Sequence, residues 1–444
     1  MSLLYGLSLV LAGILLIIVL TSWFKINSFL SLFLVSLVLA LLVLPFPDIV
    51  PALKKGFGDT MASIGLIIIF GAVIGVTLDV TGATMSMANY ILKRTREKNA
   101  SAAISITGFI TGLPIFCDSG FIVLSGLNRS LTAKSMSNPV FMSTVLACSL
   151  YTVHCLIPPH PGATAAAGII GANIGQLVLM GILVAIPAAA MGYCWARFMT
   201  RRFKIKTDVE KVVETEDAVT KVLPSAGKSF LPILIPLLLI TGKSLIGFLF
   251  PNGTSTWCKI VGLVGDPVIA LLIGMFLAFL LLPVFNRSTI NHILSVSIEK
   301  VGPIIIITAA GGIFGAIIKA TGTGEQAGAF LSSTGLGLWI PFLLAFILKT
   351  AQGSSTVAII TAASIIEPML GHMGYSGEYG KLLVMLAMGA GSMMVSHAND
   401  SYFWVITNFS KIEADDTLKV YSTATIVMGL TAFTMVYLLS LFML

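Results

Sequence analysis

Residues 156–164 read LIPPHPGAT. They interrupt two long apolar runs, FMSTVLACSLYTV (141–153) before and GIIGANIGQLVLMGILVAIPAAA (168–190) after. Three prolines, a histidine and a glycine thus stand where the context predicts an unbroken membrane helix. Proline removes a backbone donor and breaks a helix, so amide and carbonyl groups are freed at depth. Lipid cannot satisfy them; protein or a water-filled cavity must. The stretch therefore predicts an all-α integral membrane protein with a polar break buried near the bilayer centre.

Composition agrees. The chain has 444 residues, 57% hydrophobic and 10% charged, with mean hydropathy +1.00. A soluble chain of this length carries far more charge, and several stretches reach the ~20 residues a helix needs to cross a bilayer. The runs are too continuous for a membrane barrel. The first, Leu3 to Leu20, has no positive segment before it and no small-residue cleavage site, so it reads as a retained span. A net charge of +7 could suggest nucleic acid, but the basic residues cluster in short connections, which is a topology signal. Five cysteines, an odd number without metal-type spacing, predict neither a disulfide framework nor a zinc site.

About ten transmembrane helices are expected, at 3–22, 28–45, 62–80, 140–157, 174–196, 230–249, 262–284, 301–320, 382–408 and 421–443. Segments 101–127 and 338–370 are different. Each is apolar around a polar centre, Pro114 to Gly120 in one and Gln352-Gly353-Ser354-Ser355 in the other. The arms, about 13 residues long in 101–127, are too short to cross at 1.5 Å per residue. Both are read as re-entrant helical hairpins. With the charged segment 197–229 as a cytoplasmic linker, nineteen of the 26 basic residues, every arginine among them, fall on one side. Both termini then face outward.

The two halves resemble one another. ALLVLP at 40–45 resembles AFLLLP at 278–283. Gly71, Gly75 and Thr81-Gly82 match Gly311, Gly315 and Thr321-Gly322. The hairpin centres and the pair His160-Pro161-Gly162 and His397-Ala398-Asn399 follow at nearly the same offset. Five spans per half makes the repeats, 1–196 and 230–444, inverted. That arrangement is typical of secondary transporters, with the substrate near the midplane at discontinuous helices. The glycines are expected to let helices pack closely.

The polar groups at depth are the candidate site. Asp118 is a carboxylate within the bilayer, costly and by default functional; Ser119 and Gly120 begin the second hairpin arm, where a helix N-terminus favours an anion. Gly353, Ser354, Ser355 and Thr356 occupy the matching turn. His160, Gly162 and Thr164 lie at the first break, and His397, Asn399, Asp400 and Ser401 at the second. His154, Asp118, His160 and Asp400 are the candidate proton carriers, with His160 favoured over His154. Lys349 either meets a substrate carboxylate or snorkels to the outer surface, the latter being preferred. Asp79, Lys319 and Glu367 read as interfacial or structural charges.

The stretches Val153-His154-Cys155-Leu156-Ile157-Pro158-Pro159-His160-Pro161-Gly162 and Ser396-His397-Ala398-Asn399-Asp400-Ser401-Tyr402-Phe403-Trp404 resemble the gluconate permease family, and the resemblance runs over essentially the whole chain. It implies a proton symporter for gluconate or a related sugar acid, in a family that includes a D-serine transporter. It implies the ion-transporter superfamily fold and a bacterial inner-membrane location. Ala163 stands where many gluconate-type members carry proline, so the resemblance leads to a small hydroxylated monocarboxylate and no finer. Expected partners are this small anionic sugar acid and membrane lipid, not nucleic acid; a homodimer is compatible. No cofactor is expected; the coupling ion is a proton, with sodium left open. An intramembrane hydrolase is the rival from another class, but no Gly-x-Ser-x-Gly or His-Glu-x-x-His motif occurs near these residues.

Overall fold

The computed structural model describes residues 3–93, 99–203, 223–250, 255–320, 330, 332–398 and 400–443. These residues form helices joined by short turns. In order they are α1 (Leu3–Ile18), α2 (Ser28–Val43), α3 (Phe46–Val80), α4 (Ala83–Lys93), α5 (Ala100–Gly112), α6 (Cys117–Lys134), α7 (Pro139–Leu156), α8 (Pro161–Ile170) and α9 (Ile174–Arg202). Then come α10 (Ala226–Leu249), α11 (Thr256–Val264), α12 (Pro267–Phe279), α13 (Arg287–Ala320), α14 (Trp339–Gln352), α15 (Ser355–Ile366), α16 (Glu378–Ser392), α17 (Ser401–Ser410), α18 (Ala414–Thr417) and α19 (Thr423–Met443). Among the described residues six helices are long and apolar enough to cross a membrane, or seven if α11 and α12, bent by 64°, count as one span.

Local chemistry sets the boundaries. Asn138 caps α7 by accepting from the amides of Val140 and Phe141, and Pro139 fills the first turn, where its missing donor costs nothing. Pro161 does the same for α8, which ends on Gly171 in the left-handed region at φ 67°. Asp266 caps α12 ahead of Pro267, and Ser354 and Asp400 cap α15 and α17.

Helices cover the ten expected spans, but only the six or seven named above have the length and apolarity a crossing needs, and three further differences stand out. Spans 62–80 and 301–320 are only the C-terminal parts of α3 and α13, helices of 35 and 34 residues that begin in the segments read as connections. Hydropathy reports depth, not helix continuity, and a charged first half does not stop a helix. The span at 262–284 is a short helix after a sharp bend, because Gly265-Asp266-Pro267 ends one helix and caps the next. The hairpin at 101–127 continues to Lys134, giving arms of 13 and 18 residues about a break at 113–116.

The two broken elements, α7–α8 and α16–α17, run through the centre. From Val140 to Leu156 all of α7 but Phe141 is buried, as is α16 from Leu382 to Ser392. Large apolar side chains such as Leu238, Phe276 and Leu441 are left exposed on the outer helices, suited to lipid. The predicted small-residue contacts bring the long helices onto the breaks. A Cβ on Gly75 would lie 2.7 Å from the Pro114 carbonyl, one on Gly71 would lie 3.3 Å from Pro159, and one on Gly311 would lie 2.4 Å from Ser364 Oγ. Likewise α3 and α13 touch through Gly56 against the backbone of Gly312 and Ile313.

Candidate functional site

The tips of both hairpins and the second break close around a cavity of about 400 Å³. From the first hairpin come Phe116, Cys117, Asp118 and Ser119; from the second Ser354, Ser355, Thr356, Val357 and Ile360; and from the second break Asp400, Ser401 and Tyr402. Two further walls complete it, Tyr151 and His154 of α7 and Lys300, Pro303, Ile304 and Ile307 of α13. The volume lies within the roughly 300–1,000 Å³ usual for small-molecule sites.

The charges are arranged unequally. Asp400 is buried and fully engaged. Its Oδ1 accepts from the amide of Tyr402 at 3.0 Å, and its Oδ2 accepts from Ser396 Oγ at 2.6 Å and Lys349 Nζ at 2.6 Å. Lys349 is wholly buried, not snorkelled as the sequence suggested, and also donates to the Gly353 carbonyl at 2.5 Å. It lies in the last turn of α14 and points into the protein interior, so no lipid–water boundary is in reach. Asp118 has no such partner: its Oδ1 is buried without a hydrogen bond, and none of the ion pairs among the described residues includes it. Lys300, exposed at the rim, donates to Ser119 Oγ at 3.3 Å. Among the described residues it therefore brings the one lysine charge that lines the cavity.

The predicted residues divide accordingly. Asp118, Ser119, His154, Ser354, Ser355, Thr356, Asp400 and Ser401 share the cavity wall. The others stand behind it. Gly120 packs against Leu150, and its amide already donates to the Phe116 carbonyl at 2.8 Å, so it offers no free donor. Gly353 adopts φ 83° and gives its carbonyl to Lys349. Gly162 lies against Thr356, so the first break supports the second hairpin from outside. Thr164 is buried in α8, and His397 contributes its carbonyl to the Asp400 amide at 2.8 Å. Asn399 lies outside the described residues.

The two histidines exchange the places expected of them. His160 is held away from the cavity with Nε2 2.7 Å from the Gly112 carbonyl, tying the first break to the first hairpin. His154 faces the cavity, 3.3 Å from Thr356 Oγ1, with its ring stacked near Tyr151. A helix break exposes backbone, but side-chain direction depends on helical phase, and His154 shares a face with Tyr151 three residues earlier. That spacing is the signal by which Tyr151 was findable. Lys300 carried none, because it sits where hydropathy shows only the start of a span. Away from the cavity Lys319 pairs with Glu367 at 2.5 Å, the structural role expected of both.

Comparison with known proteins agrees with this architecture. A family model described as GntP family permease matches residues 5–442. The inner membrane permease YgbN of Escherichia coli K12 is 30% identical, covering 96% of each chain. The high-affinity gluconate transporter of the same organism is 29% identical over 93% of this chain and 94% of that one. Its D-serine transporter DsdX is 28% identical over 98% of both. Among solved structures, the Alcanivorax borkumensis YdaH transporter aligns with a TM-score of 0.63 over 97% of this chain and 98% of that one. At 15% identity this last likeness concerns the fold alone. With a family match from end to end and a polar cavity walled by two hairpins and a broken helix, the chain belongs to the GntP family of permeases and is a multi-pass membrane transporter.

Proposed function

We propose that this permease takes up gluconate or a related small hydroxylated monocarboxylate together with a proton. The observation that carries the reading is Asp118, half-buried, in no ion pair among the described residues and with its Oδ1 lacking a hydrogen bond, facing a cavity that also presents Lys300. An anion entering beside an ionised Asp118 meets a like charge at low dielectric. A proton on Asp118 removes that repulsion and turns the carboxyl into a donor for the substrate. Anion and proton then favour each other's binding, which is the requirement for symport. Asp400 is less suited to the task, because Lys349 already neutralises it. The hydroxyls of Ser119, Ser354, Ser355, Thr356 and Ser401 suit a polyhydroxylated chain, and Lys300 suits its carboxylate.

The element order supports two inverted repeats: α2–α3, α5–α6, α7–α8 and α9 in the first half correspond to α12–α13, α14–α15, α16–α17 and α19 in the second. With both termini outside, Lys300 marks the cytoplasmic rim and the cavity is open inward. Transport then proceeds by movement of the repeats about the midplane site.

Purified protein in proteoliposomes, given labelled gluconate under an imposed pH gradient, tests the reading. Accumulation that collapses with the gradient is expected; uptake indifferent to it removes the proton. The named substrates of relatives, gluconate, L-idonate and D-serine, define the competition panel. An ionised Asp118 would also suit an ammonium, which favours D-serine as the second reading. Competition by D-serine and not by aldonates would establish it.

A further inference from the structure

Lys349 occupies a place built for a cation. Its ammonium lies at the C-terminal end of α14, where helix carbonyls concentrate negative potential, 2.5 Å from the Gly353 carbonyl. Opposite, 2.6 Å away, is the Asp400 carboxylate, which caps the N-terminus of α17. Ser396 adds a hydroxyl to the same carboxylate oxygen. The carbonyl and carboxylate oxygens belong to the two discontinuous elements of the second half, so whatever cation sits between them fastens the second hairpin tip to the second break. The residues fastened, Ser354 to Thr356 and Ser401, are cavity wall. Both oxygen sources are hard donors of the kind that bind small monovalent or divalent cations.

We propose that Lys349 is a tethered internal cation. Its ammonium fills this site permanently and holds the substrate-binding half of the second repeat in its transport-competent arrangement, so that no dissolved sodium ion is taken up here. Lys349 is thus a positioning residue, acting on the substrate through the hairpin it anchors. The inference goes beyond the proposed substrate, and its melting readout needs none.

The test is chemical rescue. Lys349→Ala should melt several degrees below the wild type in detergent and lose uptake at least tenfold. Propylammonium, which with the alanine methyl restores the missing side chain, should raise the melting temperature and return part of the uptake. Propanol, of the same size without charge, should do neither. The wild type should respond to neither compound, and its uptake should be unchanged when choline replaces sodium. Equal responses of Lys349→Ala to propylammonium and propanol, or none to either, would overturn the proposal; so would sodium-dependent uptake by the wild type. If Lys349→Ala is not recovered folded, Lys349→Met combined with Asp400→Asn removes both charges together, which buried pairs tolerate better than loss of one partner. That double variant should fold, ignore propylammonium in melting, and transport at least tenfold more slowly. Wild-type transport by it would refute the proposal. A wild-type protein that fails to accumulate gluconate would overturn the substrate reading while leaving the melting result intact.

Discussion

Replacing Asp118 by asparagine should uncouple substrate binding from pH. The amide has nearly the shape of the carboxyl, keeps a donor and an acceptor, and cannot ionise. It therefore imitates the protonated state permanently. A sphere of the cavity's volume, about 400 Å³, has a radius of about 4.6 Å, so an anion at its centre lies about that far from the wall. Two like charges at that distance repel by about 3.6 kcal/mol at an effective dielectric constant near 20. That corresponds to roughly 400-fold in affinity, an upper figure because water in the open cavity screens part of it. The sign follows directly. Wild-type affinity for gluconate should be highest where Asp118 is protonated and fall, by at most about tenfold per pH unit, as pH rises and the carboxylate ionises. Asp118→Asn should bind with an affinity that is flat across the same range. Equilibrium binding of labelled gluconate to detergent-purified protein measures both. In proteoliposomes the variant should still exchange substrate for substrate but not accumulate it against a gradient. A variant retaining the wild-type pH dependence would mean that another group carries the proton, and the reasoning from the orphaned Asp118 oxygen would be wrong.

Four other outcomes are expected, the last with a matched control. Lys300→Gln should raise KM for an anionic substrate by about tenfold, a charge-assisted hydrogen bond weakened by exposure, and leave thermal stability unchanged; uptake assays and melting curves separate the two. His160→Ala should destabilise the protein by about 1–3 kcal/mol through the lost bond to the Gly112 carbonyl. His154→Gln should instead alter substrate affinity with little effect on melting, because its ring faces the cavity. Gly75→Ala should lower stability by about 1–2 kcal/mol, since its Cβ would stand 2.7 Å from a backbone oxygen and the crowding exceeds the gain in helix propensity. Gly58→Ala, with nothing within 4 Å of its Cβ, is the matched control and should not destabilise.

The prolines at 158, 159 and 161 and the run of apolar spans made the helical membrane architecture legible before any coordinates, because covalent backbone chemistry and transfer from water act residue by residue. The same local rules singled out Asp118, Ser119, Ser354 to Thr356, Asp400 and Ser401, all of which line the cavity. They did not say which of the polar groups share one space. Lys349 shows why. Its neighbours in sequence suggest a surface, but its partner is Asp400, fifty-one positions away, and only the packing of α14 against the second break brings the charges within 2.6 Å. Lys300 reaches Ser119 across 181 positions, and His160 turns to Gly112 while His154 takes the cavity. Apolar character is a property of a segment and was readable from composition. Charge pairing, side-chain direction and the identity of the unpaired carboxylate depend on contacts between distant segments, which exist only once the helices are packed.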